Sequence, residues 1–353
     1  MNLCCLRHRT WPAWRVWLSA ILPAVVCLTI SCSKTASLNE TAYVVPEKLR
    51  LRSSTAQAAR PVGELKSGDR VTVIERAKSE DGTQWANLKG PDGQTGWADS
   101  RFLVRDEIVT KSRQMAEEIR QIPTQALGKS KATLKLRLTP DRTSEDNVAS
   151  TLPSGTTLEI VARERKPRPA SLDTKDTKSE TQEGKEAETK YDSWLQVRLK
   201  DYAVLPAGWI YGGSVELDLP GDIAYFASTG RRIMGWQKLG KVQGEDNRAG
   251  DHYLVLERKT LDADERGDFD RVKVLAYDPG SKNYATPFRD DVLGRFPVIL
   301  KMDGQQGSFH LTAIDKNDQK QELEYKVELL AGGKVKVTKP NLPKPAAAKP
   351  RKK

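Results

Sequence analysis

Apolar and polar residues alternate in short runs through most of the chain, and turn chemistry cuts the runs at intervals of about ten residues. Between residues 43 and 105 the strand-like runs are Leu49–Arg52, Val71–Glu75, Trp85–Leu88 and Thr95–Ala98. Ser67-Gly68-Asp69, Asp81-Gly82 and Pro91-Asp92-Gly93 separate them. So short a segment buries a limited core. Trp85, Trp97, Leu65, Val71, Val73 and Phe102 are therefore expected inside it. Residues 106–122 change period: Ile108, Met115, Ile119 and Ile122 fall near helical spacing until Pro123 stops the run. That predicts a short helix within a linker spanning 106–130. From 221 to 338 the pattern returns to strands: Arg232–Val242, His252–Glu257, Arg271–Tyr277, Phe296–Met302, Ser308–Ile314, Glu322–Leu330 and Lys334–Thr338. Hairpin-like spacing favours an antiparallel domain, closed as a barrel or packed as a sandwich.

The first set of landmarks recurs. Leu49-Arg50-Leu51-Arg52, Leu65-Lys66-Ser67-Gly68, Trp85-Ala86-Asn87-Leu88 and Gly96-Trp97-Ala98 are echoed further along. The echoes are Leu134-Lys135-Leu136-Arg137, Leu152-Pro153-Ser154-Gly155, Trp194-Leu195-Gln196-Val197 and Gly208-Trp209-Ile210. A duplicated small β module, 43–105 and 131–219, is the economical explanation. The copies are unequal: 38 residues separate Gly155 from Trp194, where 16 separate Gly68 from Trp85. The excess maps onto 164–190, which holds seven basic and seven acidic residues and one large aliphatic residue, Leu172. Such a stretch buries too little apolar surface to offset its ordering entropy, so a disordered surface insertion is expected.

The ends carry the charge and the cysteines. Arg7, Arg9 and Arg15 precede an apolar run from Val16 to Ile30, which has the length of a signal h-region and is short for a spanning helix. The run ends at Leu28-Thr29-Ile30-Ser31-Cys32. This resembles the lipobox of bacterial lipoproteins, with Thr29 where that family prefers Leu. The resemblance implies a signal peptide over 1–32, acylation of Cys32 with palmitate-type chains, and a polar tether over 33–42. Ser33 after the cysteine implies the periplasmic face of the outer membrane by the enterobacterial pattern. All four cysteines, Cys4, Cys5, Cys27 and Cys32, lie in this segment, so the folded part has neither disulfide nor thiol chemistry. The formal charge is +11. Much of it sits in the Pro/Lys tail 339–353, expected to be extended and disordered. Anionic partners in an envelope compartment are lipid headgroups and wall polymers; nucleic acid is not expected.

Residues 49–104 resemble a bacterial SH3 domain. That family opens with L-x-V-R-x-G-P, passes a K-x-G turn and a G-x-W-x-x-V strand, and closes on G-W-V. Leu49–Arg52, Leu65–Gly68, Gly82–Leu88 and Gly96–Ala98 stand at those places, with Ser53-Ser54-Thr55 where the family has Gly-Pro. The second copy is similar through its Leu152–Gly155 turn and Gly208–Ile210. It departs at Thr139-Pro140-Asp141 and at the insertion. The resemblance implies small barrels that bind peptidoglycan peptides or other envelope ligands.

Catalytic chemistry is sparse in the sequence. After Cys32 no cysteine remains, and His252 and His310 stand 58 residues apart. A histidine-based zinc site is therefore not expected, and Asp251-His252 reads as a satisfied strand-end histidine. No G-x-S-x-G elbow, P-loop or dinucleotide glycine run occurs. Asp262, Asp264, Asp268 and Asp270, with Glu265 among them, form an acidic cluster. It is a weak calcium candidate beside a solvated hairpin loop, with Arg266 and Arg271 available to neutralise it. Trp85, Trp97, Trp194 and Trp209 lie in predicted strands and read as barrel core ahead of ligand platform. Phe102, Tyr191 and Tyr211, where loops meet, are the groove candidates, with Trp97 and Trp209 beside them.

The expected molecule is all-β. Two SH3-like barrels stand in tandem, joined by a short helix and followed by an antiparallel domain. The leading functional expectation is a non-enzymatic, lipid-anchored envelope protein binding peptidoglycan or an envelope protein, without cofactor. A structural or sensory subunit of a membrane complex, binding protein alone, is the alternative. An enzyme using carboxylates of 221–338 is a weaker one.

Overall fold

The computed structural model describes residues 39–340, apart from 57, 169–190, 245–248 and 262. Among the described residues the fold is all-β: one helix and a few 3-10 turns interrupt strands that pair antiparallel throughout the four sheets. The first sheet contains β1 (Glu40–Val44), β2 (Lys48–Arg52), β3 (Pro61–Lys66), β4 (Arg70–Lys78), β5 (Gln84–Lys89), β6 (Thr95–Asp99) and β7 (Leu103–Arg105). Its order is β3-β2-β6-β5-β4-β1-β7. After α1 (Asp106–Glu118) come β8 (Ala126–Ser130), β9 (Leu134–Arg137), β10 (Val148–Leu152), β11 (Thr157–Pro167), β12 (Tyr191–Arg198), β13 (Ala207–Tyr211) and β14 (Val215–Leu217). Their order, β10-β9-β13-β12-β11-β8-β14, repeats the first sheet strand for strand.

The repeat extends to individual hydrogen bonds. Ser67 Oγ donates to the Val45 carbonyl at 2.9 Å, and Ser154 Oγ donates to the Lys131 carbonyl at 3.0 Å. Gly68 N–H donates to Val44 O at 2.9 Å and Gly155 N–H to Ser130 O at 2.8 Å. Both glycines hold left-handed backbone, φ 89° and 82°, which a side chain would strain. The Ser-Gly turn therefore tethers the start of β4 or β11 to the end of the first strand of each copy. Each sheet curls until β2 meets β6 at Arg52–Trp97, and β9 meets β13 at Arg137–Trp209. The first copy closes over Val44, Leu49, Leu51, Leu65, Val71, Val73 and Leu88.

β1 begins inside the segment expected to be a tether, and β8 inside the expected linker. Both are five residues long, and their inward positions are small or few: Ala42 and Val44, then Ala126, Gly128 and Ser130. Such strands give little periodic signal. The hairpin arm β11–β12 also reaches further than expected, pairing as far as Pro167–Tyr191. Residues 164–167, assigned to the insertion, are thus strand; 169–190 lie outside the described residues. The helix joins the modules by polar clamps. Ser112 is buried and donates to Ala207 O at 2.6 Å. Arg198 Nη1 donates to the Ile119 and Ile122 carbonyls at 3.1 and 2.9 Å, holding the helix end.

The last region is a sandwich of two four-stranded sheets. One holds β15 (Arg231–Gln243), β16 (Ala249–Lys259), β17 (Arg271–Asp278) and β18 (Asn283–Asp290), in that order. The other holds β19 (Gly294–Asp303), β20 (Gln306–Ile314), β21 (Lys320–Leu330) and β22 (Lys334–Thr338). Leu254, Leu256, Val272 and Val274 of the first sheet share a core with Val298, Phe309, Leu311 and Tyr325 of the second. β18 escaped the sequence reading because it is an edge strand with mostly exposed residues and Pro287 in its length. Lys339, assigned to the tail, is instead tied to Asp290 at 2.7 Å.

The central strands of the sheet β15–β18, β16 and β17, are buried on both faces. Alternate residues Ile233, Trp236, Tyr253, Val255 and Leu275 turn away from the sandwich and join the core of the second barrel, with Leu136, Leu158, Ile160 and Val197. Gln125 locks this junction. Its side chain has no exposure. Its Oε1 accepts Val298 N–H at 2.8 Å and its Nε2 donates to Val298 O at 3.0 Å. Its own carbonyl accepts Trp236 N–H at 2.7 Å. We predict that Gln125→Ala, which strands the buried Val298 N–H and removes one of the two side-chain donors to Val298 O, lowers stability by about 2 kcal/mol, measured by urea unfolding.

Candidate ligand-binding face

On each barrel the side chains that point away from the core form an outer face, because directly opposed residues of paired strands share a side. In the first barrel the pairs Arg52–Trp97, Trp97–Asn87 and Asn87–Glu75 cross four strands on that face. Trp85 lies beside them, opposite Asp99 and Ala77. β5 buries Ala86 and Leu88 and leaves Trp85 and Asn87 partly exposed. Trp97 is partly exposed as well. The expectation that Trp85 and Trp97 form the barrel core is therefore corrected. Ala86, Leu88 and Ala98, their neighbours in sequence, take that place.

Polar groups frame these rings. The Arg52 guanidinium lies over the Trp85 ring, 5.5 Å from its centroid. The Trp85 indole N–H donates to Ser79 Oγ at 3.1 Å. Asp99 accepts from Arg101 Nε at 2.9 Å and Nη2 at 2.6 Å, a two-pronged pair at the end of β6. Phe102 follows in a 3-10 turn that abuts β5, and it is 42 % exposed, not buried as its core assignment required. The arrangement offers indole faces and an exposed phenyl ring beside paired charges. It suits a ligand with both apolar and hydrogen-bonding surface.

The second barrel carries the same face in a closed form. Trp194, equivalent to Trp85, is 1 % exposed. The residue opposite it is Tyr211, where the first copy has Asp99. Tyr211 meets the Trp194 ring edge-on, with centroids 6.1 Å apart and planes at 72°. Arg142, from the loop between β9 and β10, lies 5.1 Å from the Tyr211 centroid. Asp192, 2 % exposed, holds Arg142 through Nε at 2.8 Å and faces Arg168 Nε at 3.5 Å. Arg137 donates to Ser144 O at 2.7 Å and to Asn147 Oδ1 at 2.6 Å, which fixes the covering loop. Trp194 is thus core-like as expected, whereas Trp209 stays partly exposed beside Arg137.

The remaining candidates are dispersed. Tyr191 is 43 % exposed at the start of β12, away from Tyr211, on the arm that meets the sandwich. Asp264 is held by Arg266 at 2.6 Å, Asp268 accepts Phe296 N–H at 3.0 Å, and Asp270 pairs with Arg231. Among the described residues no three carboxylate, histidine or cysteine groups converge as a metal would need, and Asp262 lies outside them. His252 is buried and its Nδ1 accepts the Tyr277 N–H at 3.0 Å, the satisfied strand histidine expected. Cys32 and residues 341–353 lie outside the described residues. Among those described, no helix is long and apolar enough to cross a membrane.

Residues 47–104 match the bacterial SH3 domain family, which assigns β2–β7 to that fold. No curated protein matches the chain. Two solved structures are weakly similar. NlpC1 from Trichomonas vaginalis is 12 % identical with a TM-score of 0.16, covering 55 % of this chain and 51 % of that one. The chain therefore spans about half of its length. NlpC2 from the same organism is 8 % identical with a TM-score of 0.16, covering 80 % of this chain and 91 % of that one.

Sequence reasoning missed Trp85 as a surface residue and the Arg142–Asp192 cover. The signal was present where the copies differ, Gly96-Trp97-Ala98-Asp99 against Gly208-Trp209-Ile210-Tyr211. We expect Arg142→Ala to open the second face. Acrylamide quenching should rise by the contribution of one indole, and the rise should vanish in a Trp194→Phe background. A second outcome concerns pH. Burial holds the His252 imidazole below its ordinary 6.5, so the unfolded chain takes the proton first. Stability should fall as pH drops from about 6.5 toward that lower value. Urea midpoints at about pH 7.5 and 5.5 should therefore differ less in His252→Gln.

Proposed function

We propose that the protein is a lipid-anchored protein of the bacterial cell envelope whose first barrel binds peptidoglycan. The observation that carries this reading is the outer face of residues 47–104, the segment that matches the bacterial SH3 domain, where Trp85 and Trp97 are both partly exposed, with Phe102 exposed in the turn that follows β6. Indole faces supply flat apolar contact, and the Arg52, Asp99 and Arg101 groups supply donors and acceptors for a short peptide or amino sugar. The second barrel, in this reading a diverged SH3 domain, is the joint between the first barrel and the sandwich. Cys32 is the acyl anchor, and the site is the periplasmic face of the outer membrane. Binding, not turnover, is the proposed activity.

The test is a sacculus pull-down with the mature chain at low salt. Trp97→Ala should cut the bound fraction by about tenfold, the scale of a lost aromatic anchor, while Trp209→Ala leaves it unchanged. Equal losses in both variants would contradict the assignment of binding to the first barrel. Failure of the wild-type chain to pellet would remove wall binding altogether. In that case co-purification with a stoichiometric protein, unchanged by peptidoglycan digestion, would favour the protein-binding alternative.

A further inference from the structure

The arm β11–β12 extends past the second barrel and lies against the sandwich, and an arginine-lined cavity of about 390 Å³ opens at that seam. Arg163, Arg165, Arg266 and Arg295 line it, with Glu164, Glu265, Asp268 and the exposed Tyr191. Two of these charges are paired, and two arginines give one N–H each to a backbone carbonyl. Arg266 is occupied by Asp264 and Asp318. Glu164 pairs with Lys166 at 2.5 Å. Arg165 Nη2 donates to Gly267 O at 2.7 Å, and Arg295 Nε donates to Arg266 O at 2.9 Å.

Arg163 differs from the others. Its side chain is 11 % exposed. Its Nε donates to Ser193 Oγ at 2.7 Å, and Asp268 Oδ1 stands off at 3.9 Å. Its Nη1 is buried with no hydrogen-bond partner among the described residues, and so is Nε of Arg258, which is 7 % exposed. A buried guanidinium left short of acceptors is costly, and native structures seldom leave one so. The seam therefore holds buried donors that the oxygens of the described residues leave unsatisfied.

We propose that this cavity is a binding site for a small oxyanion, a carboxylate or phosphate group, held by Arg163 from within and by Arg165 and Arg295 from the sides. Guanidinium forks match both groups, because each presents paired oxygens to parallel N–H donors. The volume suits a small ligand group. Burial, and then the neighbouring charges of Arg165, Arg258 and Arg232, holds the Arg163 guanidinium down at about 10. An anion in the cavity would counter both effects. The site joins the second barrel to the sandwich, so its occupant would stiffen that joint. Neither the Trp97 face nor wall binding is needed for it.

The experiment is calorimetric and thermal titration of the full mature chain with inorganic phosphate and with acetate, at ionic strength held constant by chloride. Saturable binding and a rise in Tm are expected for at least one probe. Phosphate alone would identify a phosphate group as the natural feature, and acetate, alone or with phosphate, a carboxylate. Arg295→Gln, at an exposed position that leaves the fold intact, should weaken binding at least about tenfold, and Arg163→Gln should abolish it. No saturable binding of either probe would overturn the proposal. Equal binding by wild type and Arg295→Gln would overturn it too.

Discussion

The Gln125 amide sits without solvent exposure between the second barrel and both sheets of the sandwich, and the arrangement of the protein depends on it. β19 breaks register with β20 between Arg295 and Ile299, which leaves the Val298 peptide groups to other partners. The Gln125 side chain supplies both, acting as one more peptide unit of a strand. Gln237 Nε2 also donates to Val298 O at 2.8 Å, so the junction is a small closed network. Closed buried networks of this kind fix relative orientation strongly, because any slippage strands several groups at once. The approach is close enough that Gly235 is required: a Cβ there would lie 2.8 Å from the Gln125 carbonyl oxygen.

This constraint explains why two copies of one fold have different surfaces. The second barrel shares its core with the outer face of β15–β18 and is held to the helix by Arg198. Its aromatic face is covered by Arg142 and Tyr211, and its long hairpin is spent on the sandwich. The first barrel keeps a separate core, and its outer face keeps exposed rings. Buried charge follows the same division. Lys273 and Glu257, 4 % and 0 % exposed, pair at 2.5 Å on the face of the sandwich turned to the second barrel. The first barrel's pairs, such as Arg76–Glu40 at 39 % and 30 % exposed, lie at the surface, where they contribute little to stability.

Much of the architecture was legible because strand period and turn glycines are local signals. Leu51, Val73 and Leu88 announced a sheet face, and Gly68 and Gly155 announced matching turns. The short strands β1 and β8 were not legible, since Ala42 and Gly128 carry no periodic weight, and Pro287 concealed an edge strand. The site was legible only as a set of residue types. Which side of a strand faces the core depends on register, and a shift of one residue exchanges Trp97 for Ala98. Arg163 and Arg165 were hidden more deeply. They lie in β11 after its apolar residues Leu158, Ile160 and Val161 and merge into a charged stretch, so only the three-dimensional arm shows that they face the sandwich.

The most direct test of this division of labour is an indole N–H nuclear magnetic resonance titration of the mature chain with soluble peptidoglycan fragments. Trp85 and Trp97 signals should shift together and saturate along one binding curve, while Trp194, Trp209 and Trp236 stay in place. Shifts at Trp209 or Trp194 equal to those of the first barrel, or shifts confined to the second, would contradict the account.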